Sequence, residues 1–181
     1  MPLQVHVGNH LAVNVYNQGI GINGYRRYDA DMGAFAVAQN FAQTTALGTS
    51  GAGPCQIIVV HKAAGHGALG HYAAHPDPLM IVQGVQDMIL QLGGLPVANV
   101  VFAAGLVGNQ RPQLNYEITI VARVRAMCPG ARVVWPAAPP NDVWSACYYL
   151  PLQEEVGLLQ DPPGGFVGMG DAAHGITDFP Y

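Results

Sequence analysis

Residues 49–71 read TSGAGPCQIIVVHKAAGHGALGH, and this stretch decides both the fold and the chemistry that we expect. It sets a cysteine after a glycine- and proline-rich turn, followed by an apolar run of strand length, a second glycine-rich turn and a histidine. A cysteine thiol becomes a catalyst when a base removes its proton, when backbone N–H groups stabilise the oxyanion, and when a turn exposes the sulfur. The stretch offers a candidate for each part: Cys55 as nucleophile, His71 as base, and the turn through Gly53 and Pro54 beside the thiol.

The flanking sequence alternates between strand and helix patterns, which predicts one mixed α/β domain. The clearest helix begins at Pro78 with Asp77 as its N-cap, repeats apolar residues at the i, i+3, i+4 spacing, and ends at the glycine pair 93–94. A second helix is predicted over residues 115–127, capped by Asn115. The predicted strands are residues 3–8, 11–17, 34–47, 55–61, 71–75, 97–105, 131–136 and 143–150, of which the first two form a hairpin. Residues 34–47 are ambiguous, since their alanine content also suits a helix, and we prefer the strand. Loops are predicted over residues 18–31, 62–70 and 108–113, and the tail from residue 153 is predicted to be loop-rich.

Composition restricts the classes of partner. The chain has 181 residues, enough for one core and too few for two comfortable domains. Only 10% of its residues are charged, against roughly 25% in an average soluble protein. A net charge of -4 without any Lys/Arg run argues against nucleic acid or anionic membrane as a partner. Because neither a membrane-spanning run nor a signal-peptide pattern is present, we expect a cytoplasmic protein, or one exported without a cleavable signal peptide.

The cysteines and histidines allow more than one interpretation. Three cysteines at long spacings indicate free thiols, and a cysteine at the start of a strand is more often a small buried hydrophobe than a nucleophile. Histidines crowd into the same region, where one could serve as the base, several could bind a metal ion, or all could be half-exposed turn and strand-end residues. We rank the base at His71 first and the metal site last. The histidines of this region are His61, His66, His71 and His75.

Thr49 lies just ahead of the glycine turn and has two interpretations. Its hydroxyl could orient the imidazole of His71, as the third member of a catalytic triad does. More often, such a residue only caps a turn.

The order of these residues resembles the CheD-type glutamine deamidases of bacterial chemotaxis, whose Cys-His site is shared by bacterial toxins of the cytotoxic necrotizing factor type. The resemblance covers residues 46–152 and includes the first helix ending in LQLGG, the strand VANVVFAAG, and the final helix with ARVVWPAAPPNDVWSACYYLP. The family's Thr, Cys and His fall on Thr49, Cys55 and His71. The chain departs from the family where Gly-Ser-Cys becomes Gly-Pro-Cys and where Gly-Gly-Met-Asn-His becomes Gly-Ala-Leu-Gly-His.

The resemblance implies a single domain with a mixed β-sheet sandwich flanked by helices, in which residues 1–45 are an N-terminal hairpin and loop extension and residues 153–181 a tail. It implies a cysteine-dependent protein-glutamine deamidase that uses no metal and no cofactor, acts on a protein substrate, and is either an internal enzyme or a bacterial effector or toxin. Transglutaminase and protease chemistry need the same nucleophile and base. The alternatives from other classes are a non-catalytic binding module on the same fold and a metal site at His61, His71 and His75.

One geometric condition must be met. If residues 55–61 and 71–75 formed a flat hairpin centred on His66, His71 would lie opposite His61. Cys55 would then be about 20 Å away, at ~3.3 Å per residue. Pairing of Cys55 with His71 therefore requires a different register.

Overall fold

The computed structural model describes residues 2–7, 26–39, 45–49, 52, 55–73, 77–104, 112–135, 146–159 and 176–178. These residues form two mixed β-sheets and two helices, so the predicted mixed α/β class is confirmed. The helices are α1 (Pro78–Gln91) and α2 (Pro112–Met127). The strands are β1 (Gln4–Val7), β2 (Arg26–Asp29), β3 (Ala34–Ala38), β4 (Thr45–Thr49), β5 (Gln56–Ala63), β6 (His66–Tyr72), β7 (Asn99–Ala104), β8 (Arg132–Val134), β9 (Ala146–Leu150), β10 (Glu155–Leu159) and β11 (Ile176–Asp178).

The two sheets differ in strand order. The first sheet runs β1-β10-β9-β4-β2 and the second runs β11-β3-β6-β5-β7-β8. Three pairs are parallel, namely β1 with β10, β2 with β4, and β7 with β8, and the other described pairs are antiparallel. The second sheet therefore contains the hairpin of β5 and β6 at its centre, which is the segment that carries Cys55 and His71.

Two apolar clusters divide the described residues into three layers. One cluster lies between the sheets and joins Leu47 of the first sheet to Ile57 of the second. The other lies between the second sheet and the helices, and joins Ile58 to Ile81 of α1 and Ile120 of α2. Since neighbouring residues of β5 face different clusters, this strand is buried on both faces, which explains its continuous apolar run.

Helix α1 begins and ends as predicted. The side chain of Asp77 accepts a hydrogen bond from the N–H of Leu79, and Pro78 is the first helical residue. At the other end, Gly93 and Gly94 both adopt a φ of 80°, a left-handed conformation that favours glycine. Helix α2 begins at Pro112 rather than after Asn115, because proline suits the first turn, where its missing N–H has no acceptor.

Several predicted loops are strands. Arg26–Asp29 was expected in a loop because it is polar, yet it pairs in parallel with β4 at the edge of the first sheet. The predicted turn over residues 62–70 is confined to residues 64–65, and β6 begins at His66. The strand preference of residues 34–47 is confirmed at both ends, whereas the predicted strand 11–17 lies outside the described residues.

Strands from the predicted N-terminal extension and from the predicted tail belong to the two sheets. Residues 1–45 contribute β1, β2 and β3, and β3 pairs directly with β6 beside the candidate site. The predicted loop-rich tail contributes β10, which lies between β1 and β9. Strand β2 is short and polar and β10 is short, and the partners of both are distant in the chain, so no local pattern predicts these two strands.

Candidate active site

The candidate site lies between the two sheets, where β4 of the first sheet faces β6 of the second. The hydroxyl of Thr49, the last residue of β4, is 2.8 Å from Nδ1 of His71. The same hydroxyl donates a hydrogen bond of 2.7 Å to the carbonyl oxygen of Ala30. Both side chains are buried, so this contact joins the two sheets in the interior of the sandwich.

These two hydrogen bonds define the tautomer of His71. A threonine hydroxyl has one hydrogen, and it is used by Ala30. Nδ1 of His71 must therefore carry the proton and donate it to Thr49, which leaves Nε2 as the acceptor nitrogen of the neutral ring. That Nε2 is buried and has no hydrogen-bond partner among the described residues. This is the arrangement of a histidine general base at rest: one ring nitrogen donates a hydrogen bond that orients the ring, and the other nitrogen can accept a proton.

Cys55 lies on the same face of the second sheet as His71. Ile57 is opposite His71 in the register of β5 and β6, and Cys55 shares the inter-sheet cluster with Ile57. The paired register ends at Gln56 and Tyr72, and its continuation by two residues would put Cys55 opposite Ala73, diagonal to His71. Such neighbours are typically ~7–8 Å apart, close enough for longer side chains to meet. The objection of a 20 Å separation does not apply, since the hairpin turns at residues 64–65.

The backbone N–H of Cys55 is already used. It donates to the carbonyl oxygen of Ala52, which closes a turn of the chain directly before β5. Backbone N–H groups beside the thiol are needed to stabilise an oxyanion, and the N–H of Cys55 is not available for that purpose in this conformation. The predicted turn residues Gly53 and Pro54 lie outside the described residues.

Burial controls the charge of this site. It lowers the pKa of His71 to about 4, and the nearby Asp31 carboxylate opposes this only in part. His71 is therefore neutral at physiological pH, which keeps Nε2 able to accept a proton. Cys147, which is opposite Thr49 in the pairing of β4 with β9, is fully buried, and burial raises its pKa far above the ordinary value.

His61 occupies the opposite end of the same interior. Its Nδ1 is 2.7 Å from the phenol oxygen of Tyr149 and its Nε2 is 3.1 Å from a carboxylate oxygen of Glu154. Along β5, His61 is four residues from Ile57, the residue opposite His71, so the two histidines are ~13 Å apart at 3.3 Å per residue. Among the described residues, no group of three or more His, Cys, Asp or Glu side chains could hold a metal ion. His75 lies outside the described residues.

We expect NMR to find His71 as the neutral Nδ1–H tautomer at pH 7, because Thr49 can only accept its proton. Its ¹⁵N shifts should stay those of a neutral ring down to about pH 4. Thr49→Val, which removes the acceptor, should abolish the preference for this tautomer, whereas Thr49→Ser should keep it. An Nε2–H tautomer in the wild type would contradict the assignment.

Sequence reasoning missed the contribution of the turn between β2 and β3. Ala30 holds the Thr49 hydroxyl through its carbonyl group, and the N–H of Gly33 donates to the carbonyl oxygen of His71 at 2.7 Å. Backbone groups carry no sequence signal, and the turn is distant in the chain from both residues that it holds. The Asp-Met-Gly sequence at residues 31–33 was the one available indication of a tight turn.

The comparisons with known proteins add no relative. No protein-family model matches the chain, and no curated protein matches it at a significant level. Among the described residues, no helix is long and apolar enough to cross a membrane.

Proposed function

We propose that this chain is a cysteine-dependent amidohydrolase that converts a glutamine side chain of a protein into glutamate and releases ammonia. The observation that carries the proposal is the hydrogen bond from His71 to Thr49, which leaves a buried, neutral Nε2 open on the face that also carries Cys55. The order Thr49, Cys55, His71 within a frame that resembles the CheD-type deamidases supports the choice of a glutamine amide.

In the first half of the reaction, Nε2 of His71 takes the proton of the Cys55 thiol as the sulfur attacks the carboxamide carbon. The imidazolium then donates that proton to the nitrogen of the tetrahedral intermediate. The carbon–nitrogen bond breaks, ammonia leaves, and a thioester with Cys55 remains. Because burial lowers the pKa of His71 to about 4, the resting imidazole is neutral and can accept the proton of the thiol during the attack.

In the second half, Nε2 of His71 takes a proton from a water molecule, whose oxygen attacks the thioester carbon. The carbon–sulfur bond breaks, the thiolate leaves, and the imidazolium returns its proton to Cys55. The glutamine is now a glutamate. Thr49 acts throughout by holding Nδ1, so that the ring cannot turn its other nitrogen away from the thiol. No metal or organic cofactor takes part in the proposed reaction.

The pairing of Cys55 with His71 is tested by alkylation with iodoacetamide, which is itself a small amide. The rate at which each cysteine is alkylated is measured by peptide mass spectrometry across a range of pH. General-base assistance is typically worth 10²–10⁴-fold, so Cys55 should react at least about tenfold faster in the wild type than in His71→Asn. Asparagine is the matched variant because its amide can still donate to Thr49 while it offers no basic nitrogen. Equal rates in the two proteins at every pH would contradict the proposal.

The chemistry is tested with denatured casein as a generic protein substrate, in ¹⁸O-labelled water with methylamine present. A deamidase produces ¹⁸O-labelled glutamate, a transglutaminase produces N-methylglutamine, and a protease produces new chain ends. We expect labelled glutamate from the wild type and none from Cys55→Ser, since the hydroxyl is a far weaker nucleophile than the thiol. The same search in bacterial and host lysates would identify the target protein, and would decide between an internal enzyme and an effector or toxin.

A further inference from the structure

The turn between β2 and β3 is attached to both members of the candidate base. This turn connects the first sheet to the second at the point where Thr49 meets His71. Its first residue, Ala30, accepts the Thr49 hydroxyl, and its last, Gly33, donates to the backbone of His71. Asp31 lies between these two anchors, so its position relative to the imidazole is fixed by the same hydrogen bonds that fix the ring.

The backbone of the turn is itself well defined. The carbonyl oxygen of Asp31 accepts a hydrogen bond of 3.0 Å from the N–H of Ala34, and the N–H of Ala30 donates to Gly48 at 2.8 Å. Gly33 adopts a φ of 88°, which closes the turn in a conformation that favours glycine. The side chain of Asp31 is exposed, on a turn that is hydrogen-bonded to Thr49 and to the backbone of His71.

Other titratable groups near His71 do not supply the same charge. Cys55 is the proposed proton donor, and Cys147 across the interior holds its proton because of burial. Asp29 is opposite Gly48 and therefore lies on the outer face of the first sheet, away from the interior. Among the described residues, Asp31 is thus the carboxylate whose field acts on the ring, where it opposes the lowering of the pKa of His71 by burial.

We propose that Asp31 is a positioning residue of this site: its carboxylate stabilises the imidazolium that forms when the Cys55 proton moves to Nε2 of His71. This inference rests on the proposed function, since it concerns the same proton transfer. A buried ring resists protonation, and each stage of the reaction passes through its protonated form. An anion held at the surface, outside the pocket, favours that form without becoming a second base or occupying the space of the substrate.

The charge effect is tested first on His71 alone, by NMR titration of its ring in a Cys55→Ala background. Asp31→Asn should lower the pKa of His71 by roughly 0.5, about a threefold loss of proton affinity, and Asp31→Glu should restore most of it. The effect should shrink in about 0.5 M NaCl, because an exposed charge is screened. Asp87→Asn on α1, across the second sheet from His71, controls for the change in net charge and should leave the titration unchanged.

The consequence for proton transfer is tested by alkylation of Cys55 with iodoacetamide in the otherwise wild-type chain. Asp31→Asn should slow the reaction about threefold at low salt, and Asp31→Glu should not. If Asp31→Asn leaves the pKa of His71 unchanged, the inference is wrong. It is also wrong if the pKa shifts while the rate of Cys55 alkylation stays the same. Failure of the proposed function is a separate result. Cys55 would then be alkylated at the same rate in the wild type and in His71→Asn, whichever residue stands at position 31.

Discussion

Replacing Gly67 with alanine should lower the free energy of unfolding by about 3–5 kcal/mol, the upper end of the range for an overpacked core with broken hydrogen bonds. Gly67 is on β6 and is buried beneath the ring of Tyr149 from the first sheet. A Cβ atom on Gly67 would overlap the phenol oxygen and lie 2.7 Å from both Cε1 and Cζ of the ring. Tyr149 is itself fully buried, so the ring has little room to withdraw.

The loss would extend beyond the steric overlap. The phenol oxygen of Tyr149 is 2.7 Å from Nδ1 of His61, and displacing the ring would leave a buried imidazole nitrogen without its partner. A buried polar group without a hydrogen bond costs about 1–3 kcal/mol. The measurement is urea unfolding followed by circular dichroism, with midpoint and slope fitted together.

Gly130→Ala is the matched control. Gly130 has a φ of 85° and open space around it, so alanine there meets backbone strain of about 1 kcal/mol and no overlap. If Gly67→Ala lowers the free energy of unfolding no more than Gly130→Ala does, the ring of Tyr149 is not in tight contact with Gly67.

The second large effect concerns Glu117, where Glu117→Gln should stabilise the protein by about 3 kcal/mol above pH 8 and by almost nothing near pH 4. Glu117 is 1% exposed and lies on the buried stripe of α2 with Ile120 and Val124, facing the second sheet and α1. One of its carboxyl oxygens, Oε1, has no hydrogen-bond partner among the described residues. Burial raises its pKa from 4.5 to about 7.

The direction of the pH effect follows from proton binding. Between pH 4.5 and about 7, the unfolded chain has lost this proton while the folded chain keeps it. The unfolded state therefore binds fewer protons, and stability falls as the pH rises through this interval and then stays low. Glutamine cannot ionise, so the variant avoids the loss.

Urea midpoints measured from about pH 4 to 9 test this expectation. Asp87→Asn, at a half-buried position on α1, removes the same formal charge and serves as the control. A constant difference between Glu117→Gln and the wild type over this range would show that the pKa of this carboxyl is the same in the folded and the unfolded protein, contrary to the rise that burial causes.

The elements that the sequence predicts well are those defined by neighbouring residues. Helix α1 is the clearest case, since its N-cap, its first proline, its apolar stripe and its terminal glycines lie within residues 77–94. The strand β5 was also predicted nearly to the residue, because a run buried on both faces needs no knowledge of its partners.

The error over residues 62–70 has a specific physical cause. Gly67 and Gly70 were interpreted as turn residues, yet both lie inside β6, where they make room for aromatic rings. A Cβ on Gly70 would be 2.7 Å from the phenol oxygen of Tyr72, much as one on Gly67 would meet Tyr149. A glycine in a strand marks the close approach of another group, and the sequence alone does not distinguish this from a turn.

In the candidate site, too, the sequence indicates individual residues but not the contacts between distant strands. Thr49, Cys55 and His71 were selected through their order and the family resemblance, and their catalytic roles remain predictions. The 2.8 Å contact of Thr49 with His71 depends on two strands that belong to different sheets. The Asp-Met-Gly sequence at residues 31–33 indicates a tight turn, but only the hydrogen bonds of that turn to Thr49 and to the backbone of His71 link Asp31 to the site.

The position of β4 between β2 and β9 has a consequence for protein synthesis. As the chain leaves the ribosome, β5 and β6 can form their hairpin early, so Cys55 and His71 come together soon after translation of residue 72. Strand β9, the antiparallel neighbour that fixes Thr49 in its sheet, follows only at Ala146–Leu150. Before that point the pairing with β9 that holds Thr49 in its sheet cannot form, so β4 gains this neighbour later than β6 gains β5.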